Sequence, residues 1–167
     1  FYACVALMQL SHGPYYTFLT LHLESLGYSR GIIGLLWALG VVAEVLMFMA
    51  MRRILLRFSV RRVLLFSFLL AGARWLLLGS FAQYLWLLLL AQVLHAATFG
   101  SFHAAAMTFV QRSFGPGQQG QGQALYATLA GIGGAAGALY AGSSGNTLGP
   151  TLPFSMPRAR PRAAALL

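Results

Sequence analysis

Residues 44–74 read EVLMFMAMRRILLRFSVRRVLLFSFLLAGAR. Two apolar runs flank a short segment carrying Arg52, Arg53, Arg57, Arg61 and Arg62, five arginines within eleven residues. One run holds an acid, Glu44, and the other a base, Arg74. A hydrocarbon core of about 30 Å takes about 20 helical residues to cross. The stretch therefore reads as two membrane-crossing helices joined by a basic loop at the bilayer surface. Composition extends that reading to the whole chain. Of 167 residues, 59% are hydrophobic and 8% charged, where a soluble domain carries about 25% charged residues. The expected fold class is an all-α integral membrane protein, and its first partner is the lipid bilayer.

Outward from this hairpin, the same length criterion gives spans at about 1–23, 31–51, 63–81, 85–110 and 123–140. Gly13 and Pro14 predict a kink in the first. Residues 24–30 and 82–84 are turns, and QRSFGPGQQGQG (111–122) is a loop. Arginines cluster in cytoplasmic loops, which puts residues 52–62, the loop carrying Arg112 and the amino end on the cytoplasmic side. Residues 1–140 then form a partial transmembrane domain. Residues 141–167 contain Pro150, Pro153, Pro157 and Pro161 with Arg158, Arg160 and Arg162. They read as an irregular tail, truncated or shifted in frame, and not as a sixth span. The chain starts at Phe1 with no basic leader, which fits a piece of a longer protein better than a signal peptide.

The net charge of +9 comes from eleven arginines. Their placement between apolar runs serves topology, with no groove-reading motif, so nucleic acid is not expected as a partner. Cys4 stands alone, without a disulfide partner. No cofactor is expected. No HExxH or other zinc pattern occurs, and there is no nucleophile elbow, phosphate loop or pair of catalytic carboxylates.

Charged and polar residues inside spans cost several kcal/mol and face bundle interiors or solute pathways. Glu44 is roughly 12 Å and Arg74 roughly 18 Å from the arginine edge at about 1.5 Å per residue. Both approach the midplane, as a direct or water-bridged pair on adjacent antiparallel helices. Gln92, His95, Phe99 and His103 recur at three- and four-residue spacing on one face, where histidine suits proton exchange. Gln9, His12 and Tyr16 share a face of the first span, with Tyr15 beside them, and amphipathic rings of this kind can line a small-molecule site. Gly133 and Gly137 within AGIGGAAGALYAG (130–142) form a GxxxG packing face.

HGPYYTFLTLHLESLGYSRGIIGLLWALGVVAEVLMF (12–48), GARWLLLGS (72–80) and VLHAATFGSFHAAAM (93–107) resemble the carboxy-terminal half of the phenylpropionate permease group of the major facilitator superfamily. The pattern LWxLGVVAE, here residues 36–44, is the most specific part. The resemblance implies that the five spans are helices seven to eleven of a twelve-helix transporter, with an amino-terminal six-helix half missing. It implies a proton-coupled importer of a small aromatic acid in a bacterial inner membrane. The chain also resembles the oligosaccharide–proton symporters, which carry an acid, an arginine and a histidine on helices eight, nine and ten. By that likeness Glu44 would take the proton. Arg74 would hold Glu44 ionised or bind a substrate carboxylate, and His95 would orient substrate or pass the proton. Tyr15, Tyr16 and Phe99 would receive a ring. Alternatives are a nucleoside or sugar symporter of the same superfamily, a helical membrane scaffold acting by packing, and a membrane-embedded enzyme using His95 and His103.

Overall fold

The computed structural model describes residues 1–147, with side chains to residue 143. These residues form α1 (Tyr2–Ser25), α2 (Arg30–Arg57), α3 (Val60–Phe81), α4 (Leu85–His95), a π turn (Ala96–Gly100), α5 (Ser101–Ser113) and α6 (Gln119–Thr147). Among the described residues four helices are long and apolar enough to cross a membrane: α2, α3, the continuous Leu85–Ser113 rod and α6 over Gln119–Ser143. At 24 residues α1 has the length, but Gln9, Ser11, His12, Thr17 and His22 make it more polar than the other four.

The five-arginine loop is shorter than expected. Arg52, Arg53 and Arg57 continue α2, while Arg61 and Arg62 belong to the first turn of α3. Only Phe58 and Ser59 connect the two. Arginine is a good helix former, and its long side chain reaches the interface from within a helix, so nothing forces the chain to unwind there. The Ser59 hydroxyl accepts from Arg62 N–H at 3.4 Å and caps α3, as Ser29 does for Ile32 N–H in α2. Arg30 likewise opens α2 instead of lying in a turn, and its Nε donates to Glu24 at 3.0 Å. The turn out of α1 is closed by Gly27 at φ +89°. α1 runs through Pro14 without a break. α6 extends past the expected end at 140 to Thr147, and the remainder of the expected tail, 148–167, lies outside the described residues.

The long rod of α4, π turn and α5 is the centre of the bundle. It packs on both α2 and α3, which make few contacts with each other. α6 packs chiefly on α1. That contact is a glycine interface: the α carbons of Gly133 and Gly137 lie against the backbone carbonyls of Ala6 and Leu10, and Gly13 lies against Gly134 and Ala138. At the end away from the arginines, the Tyr28 hydroxyl donates to the carbonyls of Ala82 (3.1 Å) and Gln83 (2.9 Å), tying the α1–α2 turn to the end of α3.

Two apolar clusters stack along the bundle. One contains Tyr15, Leu19, Leu36, Leu78 and Leu88, and the other Val5, Met8, Ala71, Phe102 and Val110. On α1, α3 and the central rod polar residues fall between them. His12 lies between Met8 and Tyr15, Arg74 between Ala71 and Leu78, and Gln92 and His95 between Leu88 and Phe102. The fold thus sets one polar layer between two greasy ones.

Candidate functional site

Arg74 is the centre of that layer. It is fully buried and is the largest wholly enclosed side chain among the described residues. Its Nε donates to the Ala91 carbonyl of α4 at 2.9 Å. Its guanidinium carbon stands 4.2 Å from the ring centre of Tyr15 and 4.7 Å from that of Trp75, two adjoining cation–π contacts. One edge is therefore anchored at Nε, with the Tyr15 and Trp75 rings beside it. The two terminal nitrogens have no hydrogen-bond partner.

Around this fork lie other buried polar atoms without partners: His12 Nε2, His95 Nδ1 and Trp75 Nε1. Their rings are close together. His12 is 4.8 Å from Trp75 and 5.8 Å from His95, and Tyr15 is 5.2 Å from His95, centre to centre. Backbone and side chains fix their directions. His12 Nδ1 is 2.9 Å from the Met8 carbonyl, which holds the ring by its near nitrogen. His95 Nε2 is 3.2 Å from the half-exposed Tyr16 hydroxyl. Because the Met8 carbonyl can only accept from His12 Nδ1–H, neutral His12 presents Nε2 as an acceptor, whereas Trp75 Nε1 and the two terminal nitrogens of Arg74 are unpaired donors. Buried donors left unpaired are costly, and grouped in one layer they suit an anionic or strongly accepting guest.

Gln92, expected to line the site, is hydrogen-bonded at both ends of its amide. It is buried, its Oε1 accepts from Tyr15 OH at 2.9 Å, and its Nε2 donates to the Leu36 carbonyl at 3.0 Å. Both ends of the amide are engaged, so it ties α1, α2 and α4 together and sets the Tyr15 ring over Arg74.

Glu44 and Arg74, expected as a direct or water-bridged pair, make no direct ion pair. Among the described residues the ion pair is Arg30–Glu24, at the far end of α2. The sequence placed α2 and α3 side by side because a short connection joins them, but the central rod stands between. Glu44 is half-buried against the π turn, where a side chain on Gly100 would come within 3.2 Å of its Cγ. It is within electrostatic reach of Tyr15 and Tyr16, and so borders the site without touching the arginine.

The π turn also shapes the histidine face. A π turn carries an extra residue in the helical ladder and is frequent at functional sites. Within it, Phe99 stacks on His95 at 5.3 Å and 12° and on His103 at 6.4 Å and 15°. The two histidines are thus separated by a ring. His103 belongs to a second polar group: its Nδ1 is 3.0 Å from Tyr126 OH on α6, and Gln9 sits beside that same hydroxyl. The candidates from the sequence therefore divide into a central set (His12, Tyr15, Tyr16, Arg74, Gln92, His95, Phe99) and a smaller set toward the arginine end (Gln9, His103). Trp75, Trp37 and Tyr126 were not anticipated. Trp37 is 5.1 Å from Tyr15 and 6.2 Å from Tyr16. Tryptophan favours membrane interfaces, so two set well in from their helix ends were an available signal. No group of three His, Cys, Asp or Glu among the described residues could hold a metal.

Apolar rods around a buried layer of polar side chains define a multi-pass helical membrane protein. The chain belongs to the MFS_1 like family, whose model matches residues 1–156. It is 40% identical over 110 residues to the "Probable 3-phenylpropionic acid transporter" of Escherichia coli (strain K12), covering 66% of this chain and 29% of that protein. The aligned part is thus under a third of the relative's length. No solved structure matches the chain.

Proposed function

We propose that the chain is the carboxy-terminal part of a proton-coupled symporter that imports a small aromatic acid, such as phenylpropionate, across a bacterial inner membrane. One observation carries the substrate class: the buried Arg74 fork has two unpartnered nitrogens inside a ring-lined layer. A carboxylate fills such a fork with two parallel hydrogen bonds, and Tyr15, Tyr16, Trp75 and Phe99 offer faces to an aromatic ring. A neutral sugar or nucleoside would leave the guanidinium charge buried without a counterion, which is expensive. The name of the E. coli relative points the same way. An amino-terminal six-helix half would form the other wall, and rocking of the two halves would open this closed layer to each side in turn. The amino end and the arginines of residues 52–62 would face the cytoplasm.

Glu44 is the proton site in this reading. It is one of only two acids in the chain, borders the π turn, and among the described residues pairs with no arginine. The direct test is uptake of labelled phenylpropionate and of its neutral alcohol by the full-length protein, with and without a proton uncoupler. Acid uptake that collapses with the uncoupler is the expected result. Uptake of neither compound, or of the alcohol alone, rejects the substrate class. Glu44→Gln should abolish uphill accumulation while leaving exchange of labelled for unlabelled substrate. Undiminished accumulation by that variant would remove Glu44 from coupling.

A further inference from the structure

We propose that the cleft between α2 and α3 at the arginine end is a binding site for an anionic phospholipid, its acyl chain in the cleft and its phosphate on Arg62. The inference is independent of the transport reading. Because the central rod packs between α2 and α3, the two helices stand apart beside it, and a cavity of about 470 Å³ is left. Met47, Ile54, Phe58, Phe66 and Ala97 line it, with Arg62 also on its wall. The other polar wall residue is Ser101. Its hydroxyl is already used, 2.7 Å from Ser67 Oγ and donating to the Ala97 carbonyl. A polar solute therefore finds nothing to bond to beyond the arginine, whereas an alkyl chain is matched along the whole wall.

Charge makes the head group specific. The chain has only two acids. Glu24 is paired with Arg30 at the opposite end of α2, and Glu44 is half-buried against Gly100. Among the described residues, Arg52, Arg53, Arg57, Arg61 and Arg62 have no carboxylate partner. Their counterions must come from outside these residues, and basic clusters at a bilayer surface collect anionic lipids. Arg62 combines the two requirements, since a guanidinium binds phosphate as a fork and this one adjoins an apolar slot.

The test uses the full-length protein with Phe66→Trp, a tryptophan in the cleft at a position already exposed in the chain. Phosphatidylglycerol with brominated acyl chains should quench this tryptophan saturably. Unbrominated phosphatidylglycerol should reverse the quenching, and phosphatidylcholine with the same chains should compete about five- to tenfold less well. Arg62→Gln should erase that preference, and Arg112→Gln, outside the cleft, should keep it. Equal competition by the two lipids, or a preference that survives Arg62→Gln, overturns the proposal. Glycerol 3-phosphate competing as well as the lipid would show a head-group site without an acyl slot and would overturn it too. If Arg62→Gln fails to fold, thermal unfolding of the unmodified protein decides: a larger saturable rise with phosphatidylglycerol than with phosphatidylcholine supports the site, and equal rises reject it.

Discussion

Arg74→Ala in the full-length protein abolishes high-affinity binding of aromatic acids and leaves weak binding of their neutral analogues nearly unchanged. Removing one member of a buried, hydrogen-bonded charge pair costs about 2–5 kcal/mol, which is about thirtyfold or more in affinity. The expected loss is at the upper end because Arg74 is wholly buried and water cannot substitute for the missing fork. Arg74→Lys separates charge from geometry. Lysine keeps the positive charge but loses the planar pair of donors and the anchoring bond to the Ala91 carbonyl. It should recover part of the acid preference and little of the affinity. Isothermal titration or competition binding with phenylpropionate and its alcohol reads both effects. Equal losses for acid and alcohol would mean that Arg74 serves only to hold α3 against α4 and the Tyr15 and Trp75 rings.

The polar layer was legible in the sequence because each of its members interrupts an apolar run, and the cost of a polar group in a bilayer makes such interruptions informative. His12, Arg74, Gln92 and His95 all emerged on that ground. Which of them touch was not legible. The sequence puts Glu44 and Arg74 on adjacent helices because the short arginine loop of residues 52–62 joins them, yet a helix from later in the sequence separates them. Hairpin connectivity fixes order along the chain, while the order across a bundle depends on which side chains fit. Gln92 shows the same limit from another side. Its helical face was correct, but a glutamine facing inward can line a site or clamp three helices. The positions of Tyr15 OH and the Leu36 carbonyl show the clamp, which no spacing in the sequence marks.

The ends of α2 and α3 differ from expectation because arginine extends a helix as readily as it marks a loop. Ser29 and Ser59 each precede a helix and supply its cap, so the starts of α2 and α3 were marked in the sequence by capping chemistry more sharply than by charge. The π turn left no such mark. Its residues, AATFG, suit an ordinary membrane helix, and the widening is settled by packing, with Glu44 against Gly100 and Phe99 between two histidine rings.

Gly137→Ala should destabilise the folded protein more than any other single added methyl in α6. The Gly133–Gly137 repeat announced a close helix contact but not its partner, which is α1. A β carbon at residue 137 would collide with the Leu10 carbonyl, a backbone atom that no rotamer change can move. The same carbonyl is the one that Pro14, lacking an N–H, cannot serve within α1. The α carbon of Gly137 then offers it a weak C–H contact, so the substitution removes a favourable contact as well as adding a clash. Overpacking costs about 1–3 kcal/mol when side chains can adjust. Two backbones cannot adjust without separating, so the upper value applies, equivalent to a fall of roughly 5–10 °C in thermal midpoint. Gly131, on the same helix with nothing within 4 Å of an added β carbon, is the internal control. Gly131→Ala should be neutral or slightly stabilising, because alanine is the better helix former. Thermal unfolding of the two variants in one detergent gives the comparison. Equal midpoints would show that α1 and α6 can move apart at no cost, and the glycine contact would then have no part in holding His12 and Tyr15 in the polar layer.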